Sequence, residues 1–392
     1  MSADPDPGYL LTAAAVRERC GVVFQAAAHN ETPHFRLNLD RLDAAAALVV
    51  DVTRRRYPGL RVPFHSRWRH FSAGGVDRAA LVAPGAVRDE TARARIDLAI
   101  VSVLLDAGAG AEWRYDEAET GHTLARSEGL GVASFRAMQQ GLFSGDAADP
   151  WRADAAALAA LDPEALANAM QHRDGNPLAG FAGRVVLLRR LGEVARDNPD
   201  VFGRPARLGN LYDYWSAKHA IAAPDILRTL LVALGPIWPG RPLGDCGRHR
   251  AIVGDGLVPF HKLSQWLTYS LVEPLRDAGM TVSDLDGLTG LAEYRNGGLF
   301  LDLGVVEPRD RSLGSRSLDP QEEAVVEWRA LTVALLDRLA DKVRAALVKT
   351  RAEFPLACVL EGGSWEAGRA AALARRPDGR PPLTIVSDGT LF

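Results

Sequence analysis

Residues 319–349 read DPQEEAVVEWRALTVALLDRLADKVRAALVK and form the longest pattern of helical period in the chain. Acidic residues come early in this stretch, and lysines and arginines come late, which is the order that the helix macrodipole favours. Pro320 would lie at the first helical position, where a missing N–H costs nothing. The stretch therefore predicts one long helix around which a mainly helical protein is built.

Helical period also dominates the sequence before this stretch. We predict further helices over 40–56, with Asp40 as N-cap, and over 90–107, 178–197 and 223–234. The second half of 90–107 is apolar all round, which is typical of a buried helix. Asp97 lies within this helix and needs a partner, because a buried unpaired carboxylate is costly.

Strand-like runs are few and short. LACVLEG (356–362) and PLTIVSD (382–388) flank a helical pattern, so they predict one small βαβ unit. RNGGLFLDLGVV (295–306) predicts a glycine turn followed by another strand. The predicted fold class is therefore mainly α, with a small β component near the C-terminus.

The predicted domain organisation is simple. Residues 1–9 are acidic and proline-rich and predict a disordered tail, and residues 10–392 predict one compact helical unit. If that unit consists of two packed lobes, the turn-rich stretch LFSGDAADPWR (142–152) is the best boundary between them.

Composition excludes several classes of protein. The net charge of −3 gives no basic balance of the kind that nucleic-acid binders show. Three scattered cysteines favour a reducing compartment over a disulfide framework. The N-terminus lacks the pattern of a secretory signal, and no apolar run reaches the roughly 18 residues of a membrane span. We expect a cytoplasmic protein without nucleic-acid or membrane partners, whose oligomeric state the sequence leaves open.

The common cofactor motifs are missing from the sequence. It contains no Walker loop, no dinucleotide-binding glycine motif, no HExxH and no GxSxG. Cys246 and His249 offer two metal ligands, but nothing nearby completes a zinc pattern. We therefore expect neither a cofactor nor a resident metal.

A dense cluster of polar and aromatic residues occurs in RVPFHSRWRHF (61–71). The guanidinium group of an arginine can bind phosphate or carboxylate through two hydrogen bonds, and a tryptophan can stack on a planar ring. We predict substrate contacts from His65, Arg67, Trp68, Arg69 and His70. A surface loop with apolar anchors would explain the same composition.

The word VPFH recurs in LVPFHKLSQWLTYSL (257–271), where it precedes a helical pattern. Lys262, Gln265 and Tyr269 fall on one stripe of that helix, at spacings of three and four. We predict that these three side chains form hydrogen bonds with an amide group of the substrate. We also predict that His261 faces the same cavity as His65. The solvated face of an amphipathic helix is the alternative.

The candidate acids occur in DGLTGLAEYRNGGLFLDLG (286–304). Glu293 is the predicted catalytic carboxylate, and Asp302 is the second acid. Tyr294 and Arg295 lie beside Glu293 and are predicted substrate contacts. A structural ion pair between Glu293 and Arg295 is an equally acceptable explanation.

Further candidates lie between residues 96 and 135. Ser127 is a possible helix N-cap, with bare N–H groups available to an anion, although a plain helix start explains the same word. The predicted substrate contacts from this region are Asp106, Trp113, Tyr115, Arg126, Ser127 and Glu128.

Six words, in chain order, resemble the uracil catabolism protein 4 family, catalogued as domain of unknown function 1688. They are FHSRWRHF (64–71), SVLLDAGAGAEWRY (102–115), RSEGLGVASF (126–135), VPFHKLSQWLTYSL (258–271), LTGLAEYRNGGLFLD (288–302), and LEGGSWEAGR with PPLTIVSDGTLF (360–392). The resemblance runs from about residue 10 to residue 392. Ala292 stands where the family pattern suggests proline.

This resemblance implies a role in a pyrimidine degradation route. In that route uracil is first converted to its nucleotide, and a protein similar to a GTP cyclohydrolase then opens the ring. The resulting ribosylurea species must finally yield urea. The family's own reaction does not follow from the resemblance.

A second resemblance concerns the reaction. The segments HKLSQ (261–265) and LTGLAEYR (288–295) are similar to short sequence motifs of the queuosine-nucleotide salvage glycohydrolases. Those proteins imply a helical bundle like that of the helix-hairpin-helix DNA glycosylases. They also imply that Glu293 matches a carboxylate of that family, and that Lys262 and Gln265 match a binding helix.

Three functions are consistent with these observations. The first is a hydrolase that cleaves the N-glycosidic bond of a ribosylurea-type or pyrimidine-derived ribonucleotide, with Glu293 near the anomeric carbon and Arg67, Arg69 and Arg126 on a 5′-phosphate. The second is a metal-dependent amidohydrolase that acts on the ring-opened nucleotide, with His65, His70, His249 and His261 as ligands. The third is a non-catalytic protein that binds an intermediate.

Overall fold

The computed structural model describes residues 7–238 and 240–386, and the fold over these residues is mainly helical. Contacts divide the chain into two compact units. Over the described residues, the first consists of 7–65, 243–265 and 284–386, and the second of 66–238, 240–242 and 266–283. The segment 142–152 therefore lies within the second unit. Within the tail predicted to be disordered, residues 1–6 are outside the described residues, and Pro7–Leu10 form a short helix, α1.

The first unit is built mainly from helices. These are α1, α2 (Ala13–Ala28), α3 (Leu42–Arg56), α14 (Tyr294–Asp302), α15 (Glu323–Leu347), α16 (Leu356–Val359) and α17 (Trp365–Arg375), together with a π-helical segment over Leu360–Ser364. Short strands pair as β1 (Phe35–Leu37) with β8 (Val306–Pro308), β5 (Cys246–Arg248) with β6 (Leu257–Pro259), and β9 (Ser317–Leu318) with β10 (Thr384–Ile385). The first two pairs are antiparallel, and the third is parallel.

The second unit contains the remaining helices. These are α4 (Trp68–Phe71), α5 (Arg88–Leu104), α6 (Arg126–Gln139), α7 (Ala155–Ala159), α8 (Pro163–Ala169), α9 (Phe181–Asp197), α10 (Pro199–Phe202), α11 (Leu211–Ser216) and α12 (Ala223–Leu234). Helix α13 (Lys262–Asp277) begins in the first unit and continues in the second. The strands β2 (Tyr115–Glu117) and β3 (His122–Leu124) form a hairpin, and β4 (Ala220–Ala222) pairs in parallel with β7 (Thr281–Ser283).

The long helix predicted over 319–349 is confirmed as α15. It begins at Glu323, so Pro320 precedes the helix instead of starting it. It ends at Leu347, because Val348 adopts a left-handed conformation with φ 54°. It packs against α2 and α3, and its Val326 contributes to a core that includes Val16 and Val258. Burial of such side chains stabilises the fold by about 1.5–3 kcal/mol each.

The other helix predictions are confirmed to within a few residues. Residues 223–234 form α12 with the predicted ends, while residues 39–41 form a 3-10 turn, so that Asp40 does not cap α3. Asp97 on α5 has the partner that its burial requires. Its carboxylate accepts hydrogen bonds from Arg207 Nε at 2.6 Å and from the backbone N–H of Gly209 at 2.6 Å.

The prediction of a βαβ unit near the C-terminus is wrong. The sequence predicts a strand over 356–362, but residues 356–364 are helical. They follow Pro355 and are buried on every side. An apolar run that is buried all round lacks the period that separates a strand from a helix. Thr384–Ile385 do form a strand, but it pairs with Ser317–Leu318. Residues 387 and 388 of the second predicted strand lie outside the described residues.

The glycine turn and strand predicted over 295–306 are also wrong, because 294–302 form helix α14. Its glycines serve close packing. A Cβ on Gly297 would lie 2.6 Å from the ring of Trp328 on α15. Helix α17 approaches α14 equally closely, since a Cβ on Gly368 would lie 2.1 Å from the carbonyl oxygen of Arg295.

This packing gives a stability prediction for a pair of helical glycines. Gly368→Ala should lower the free energy of unfolding by about 2 kcal/mol or more, because a backbone carbonyl cannot yield to the new methyl group. Gly21→Ala is the control, since nothing lies within 4 Å of a Cβ at this position in α2, and it should be neutral or stabilising by up to about 1 kcal/mol. Chemical denaturation of both variants measures the difference. Equal stability would contradict the tight contact between α14 and α17.

Candidate functional site

Glu293 is the N-cap of α14 and lies in the first unit. Its backbone is extended, with φ −121° and ψ 166°, and its carboxylate turns back onto the start of the helix. Oε2 accepts the N–H of Arg295 at 2.8 Å, and Oε1 accepts the N–H of Asn296 at 2.5 Å. These N–H groups have no partner within the helix, and the positive end of the helix macrodipole favours a carboxylate here. The orientation of the carboxylate is therefore fixed by backbone.

Two effects act on the pKa of the Glu293 carboxyl in opposite directions. The residue is 8% exposed, and burial raises the pKa of its carboxyl above the ordinary value of 4.5. The two backbone hydrogen bonds and the nearby Lys262 and His65 act in the opposite direction, because they favour the charged form. A carboxylate held in this way is a stronger base than a solvated glutamate.

Lys262 is the first residue of helix α13, and hydrogen bonds fix the chain at this point. The N–H of Lys262 donates to Asp245 Oδ2 at 3.1 Å, and Asp245 forms a buried ion pair with Arg329 at 2.7 Å. His261 adopts φ 48°, a conformation that is uncommon for residues other than glycine. The Nε2 atom of His261 lies 2.7 Å from the carbonyl oxygen of Leu10, and burial lowers its pKa. His261 therefore helps to fix the start of α13.

His65 is held by a carboxylate that the sequence did not suggest. Its Nδ1 atom lies 2.9 Å from Glu361 Oε2, in the π-helical segment. His65 and Lys262 are both close enough to Glu293 to affect its pKa. The first unit thus brings three of the predicted site residues together.

Other predicted residues of the first unit have internal partners. The side chain of Gln265 donates to Phe260 O and Thr289 Oγ1 and accepts the N–H of Thr289, all within 3.0 Å. Arg295 donates to Gly379 O at 2.8 Å and lies over the ring of Tyr294. Arg295 is linked to Glu293 by its backbone N–H, which donates to the carboxylate. The ion pair between the two side chains, which the sequence suggests as an alternative, is therefore not the contact between them.

Asp302 lies at the C-terminal end of α14, the opposite end from Glu293. It is 3% exposed, and its two oxygens accept hydrogen bonds from Arg376 at 2.8 and 2.5 Å. Both carboxylate oxygens are thus engaged in an ion pair, and Glu293 is the stronger candidate for chemistry.

In the second unit, Arg67 is fully buried at a junction of polar groups. Its guanidinium lies 2.7 Å from Asp106 and donates to Ser102 Oγ at 2.7 Å and Ser127 O at 3.1 Å. His70 Nδ1 lies 3.1 Å away. Burial lowers the pKa of Arg67, and Asp106 opposes that shift. Five predicted residues meet here, since Glu128 also acts electrostatically on Arg67.

Most of the remaining predicted residues of the second unit contact other residues of the protein. The indole N–H of Trp68 donates to Ser270 O at 2.7 Å, and that of Trp113 donates to Met170 O at 2.9 Å. Tyr115 and Tyr269 are buried, and burial raises the pKa of Tyr115 to about 12. Arg69 pairs with Glu273.

The start of α6 differs from its prediction. Ser127 does not cap the helix, because Ala125 is the N-cap and Arg126 is the first helical residue. Arg126 is exposed and adopts φ 55°. Such a conformation costs energy in a non-glycine residue and is often found at functional sites.

Comparison with known proteins identifies the family. A family model described as "Protein of unknown function (DUF1688)" matches residues 9–392. The chain belongs to this family. The match agrees with the extent of the resemblance that the six words of sequence indicate.

Two relatives align with this DUF1688 chain over nearly their whole length. Uracil catabolism protein 4 of Lachancea kluyveri is 36% identical over 442 residues, which cover 100% of each chain. Protein urg3 of Schizosaccharomyces pombe is 39% identical over 401 residues, which cover 98% of each chain.

The four histidines of the metal hypothesis have four different partners in this DUF1688 chain. His65 contacts Glu361, His70 contacts Arg67, His249 contacts Glu327 at 3.2 Å, and His261 contacts Leu10. Across residues 7–238 and 240–386, no group of three or more His, Cys, Asp or Glu side chains is arranged to hold a metal ion. Over the same residues, no helix combines the length and apolar character needed to cross a bilayer.

The Arg67 junction gives a prediction about stability. Asp106→Asn should lower the free energy of unfolding by about 3–5 kcal/mol, because it leaves a buried guanidinium without its carboxylate. Glu273→Gln is the control, since it removes the partner of the half-buried Arg69 and should cost about 1 kcal/mol or less from the ion pair. Denaturant unfolding measures both values. Equal losses would mean that the Arg67–Asp106 pair is not buried as described.

Proposed function

We propose that this chain is a hydrolase of uracil breakdown that cleaves the N-glycosidic bond of a ribosylurea-type nucleotide and releases urea. The pathway rests on the relative named Uracil catabolism protein 4, with which the chain shares its full length. The reaction rests on one observation. Glu293 is a buried carboxylate that is oriented by two backbone N–H groups, and the charges of Lys262 and His65 lower its pKa against the effect of burial.

The chemistry of a ribosyl C–N bond explains why such a carboxylate is useful. As the bond breaks, positive charge builds on the anomeric carbon and the ring oxygen. A fixed carboxylate beside that carbon stabilises the charge and can accept a proton from the attacking water, as in glycoside hydrolysis. Because the N–H groups hold both oxygens of Glu293 beforehand, little reorganisation is needed when the charge develops.

The proposed reaction balances with water as the co-reactant. The electron pair of the C1′–N bond goes to the leaving nitrogen, which takes up a proton and departs as urea. Water adds to C1′ and gives its proton to Glu293. The products are urea and a ribose phosphate with a hydroxyl group at C1′. Lys262 helps to keep Glu293 ionised before the reaction, because its positive charge lowers the pKa of that carboxyl.

The contacts of Arg67 and Arg69 bear on how a 5′-phosphate would be held. Each guanidinium already has a carboxylate partner, Asp106 for Arg67 and Glu273 for Arg69. A phosphate would therefore have to compete with these anions. Parallel assays with ribosylurea and its 5′-phosphate distinguish the two substrates.

Loss of the carboxylate tests the proposal directly. Purified protein should release urea from ribosylurea 5′-phosphate, and Glu293→Gln should lower kcat by about 10²–10⁴-fold because the amide cannot accept a proton. Glu193→Gln is the matched control, since Glu193 is an exposed glutamate on α9 and its substitution should leave kcat unchanged.

A urease-coupled assay measures the product, and circular dichroism confirms that each variant is folded. Absence of urea with folded wild-type protein would refute the proposed reaction. Tight binding of the nucleotide without turnover would instead support the non-catalytic alternative.

The burial of Glu293 gives a prediction about pH. Burial raises its pKa above 4.5, and Glu293 accepts a proton only when it is ionised. Activity should therefore be lost as the pH falls through the raised pKa of Glu293. The acid limb of the kcat/KM profile, which reports the free enzyme, should lie above pH 4.5. An acid limb at or below the value for a solvated glutamate would contradict the role of a buried Glu293.

A further inference from the structure

The π-helical segment Leu360–Ser364 contacts His65 directly and is connected to Glu293 through Asn296. Mid-helix π segments are rare and are often found at functional sites. All five residues are buried, and the glycines allow a close approach to α3, because a Cβ on Gly363 would lie 2.4 Å from the carbonyl oxygen of Val49. The segment is thus packed too tightly to shift without moving α3.

Glu361 is the charged residue of this segment, and it is 6% exposed. Its carboxylate accepts hydrogen bonds from Arg56 Nη2 at 3.2 Å and Tyr57 Oη at 3.0 Å, both at the end of α3. His65 Nδ1 lies 2.9 Å from its other oxygen. Burial raises the pKa of Glu361, but the hydrogen bond and charge of His65 and the charge of Arg56 outweigh it, so that the pKa lies below the usual range. Glu361 is therefore an ionised acceptor.

The same segment also reaches Glu293 through one intermediate residue. Ser364 Oγ donates to Asn296 Oδ1 at 2.9 Å, and the backbone N–H of Asn296 donates to Glu293. One rigid segment thus holds the partner of His65 at one end and a partner of the Glu293 cap at the other. This arrangement fixes the positions of both groups within the first unit.

We propose that Glu361 is a positioning residue that holds His65 as its Nδ1–H tautomer, so that His65 exchanges protons at Nε2. The proposal rests on the proposed function for what that proton does. A carboxylate that accepts Nδ1–H fixes both the tautomer and the orientation of an imidazole ring. Nothing in the sequence patterns assigns a role to Glu361.

The proton step completes the proposed reaction. Protonated His65 gives the proton on Nε2 to the leaving nitrogen as the C1′–N bond breaks, and the ring becomes neutral with its proton on Nδ1. Glu293 takes the proton of the attacking water. Solvent then returns one proton to His65 and removes one from Glu293, so that charge and atoms balance. Glu361 lies against His65, Arg56 pairs with Glu361, and Glu293 interacts electrostatically with His65.

The chain offers a matched control for this inference. Glu327 and His249 form a second buried glutamate–histidine pair in the same unit, with Oε2 and Nε2 3.2 Å apart. Glu327 also accepts the N–H groups of His34 and Phe35. Glu327→Gln therefore perturbs a buried pair of the same chemistry that has no role in the proposed reaction.

The first test reads, by ¹⁵N NMR, which ring nitrogen carries the proton in the neutral form of His65, with His65→Asn used to assign its signals. This measurement needs no substrate, so it is independent of the proposed function. Wild-type protein and Glu327→Gln should show His65 as the Nδ1–H tautomer, and Glu361→Ala should lose that preference. Glu361→Gln keeps an acceptor oxygen and should retain the tautomer. An unchanged tautomer in Glu361→Ala would overturn the proposal.

The second test is a double-mutant cycle on kcat with ribosylurea 5′-phosphate. Glu361→Ala should lower kcat by about 10- to 100-fold with little change in KM, and Glu361→Gln should lower it less. Added to His65→Asn, Glu361→Ala should have no further effect, because the two residues act as one unit. A full additional loss in the double variant, or an equal loss in Glu327→Gln, would mean that Glu361 acts only through stability and would overturn the proposal. If Glu361→Ala does not fold, the tautomer of His65 in the wild-type protein decides, because a proton on Nε2 of the neutral ring, with Nδ1 bare, would overturn the proposal.

Discussion

The cap that Glu293 places on α14 is the constraint on which the rest of the proposed site depends. A glutamate used as an N-cap must point its carboxylate at the N–H groups of its own helix, and here both oxygens do so. The helix thereby fixes where the charge lies. Because the cap is buried, the same contacts that stabilise the start of α14 also hold a carboxylate away from water, where it is a stronger base.

The packing of the first unit explains why α14 itself cannot move. Gly297 lets Trp328 of α15 lie against it, and Gly368 lets α17 approach the carbonyl oxygen of Arg295. The π-helical segment before α17 then connects to Glu293 through Ser364 and Asn296 and to His65 through Glu361. Helix packing, the capped carboxylate and the oriented histidine are therefore parts of one rigid arrangement.

Much of this architecture could be predicted from the sequence, because the helical spacing of apolar residues can be recognised in a single sequence without an alignment. The long helix α15, the ends of α12 and the need of Asp97 for a partner all followed from local pattern and burial. Glu361 could not be found in this way, since LACVLEG has no clear period and its partner His65 lies 296 residues earlier. Trp113 looked available to a ligand, yet its indole N–H is bonded to Met170 O inside the core.

The central claim is that the bond broken is the one between ribose and nitrogen. The most direct measurement is the reaction of ribosylurea 5′-phosphate in H₂¹⁸O, followed by mass spectrometry of the products at early times. N-glycosidic cleavage predicts unlabelled urea and a ribose phosphate that carries ¹⁸O at C1′. Label in the carbonyl-derived product, with the C1′–N bond intact, would show that an amide bond is cleaved and would contradict the account.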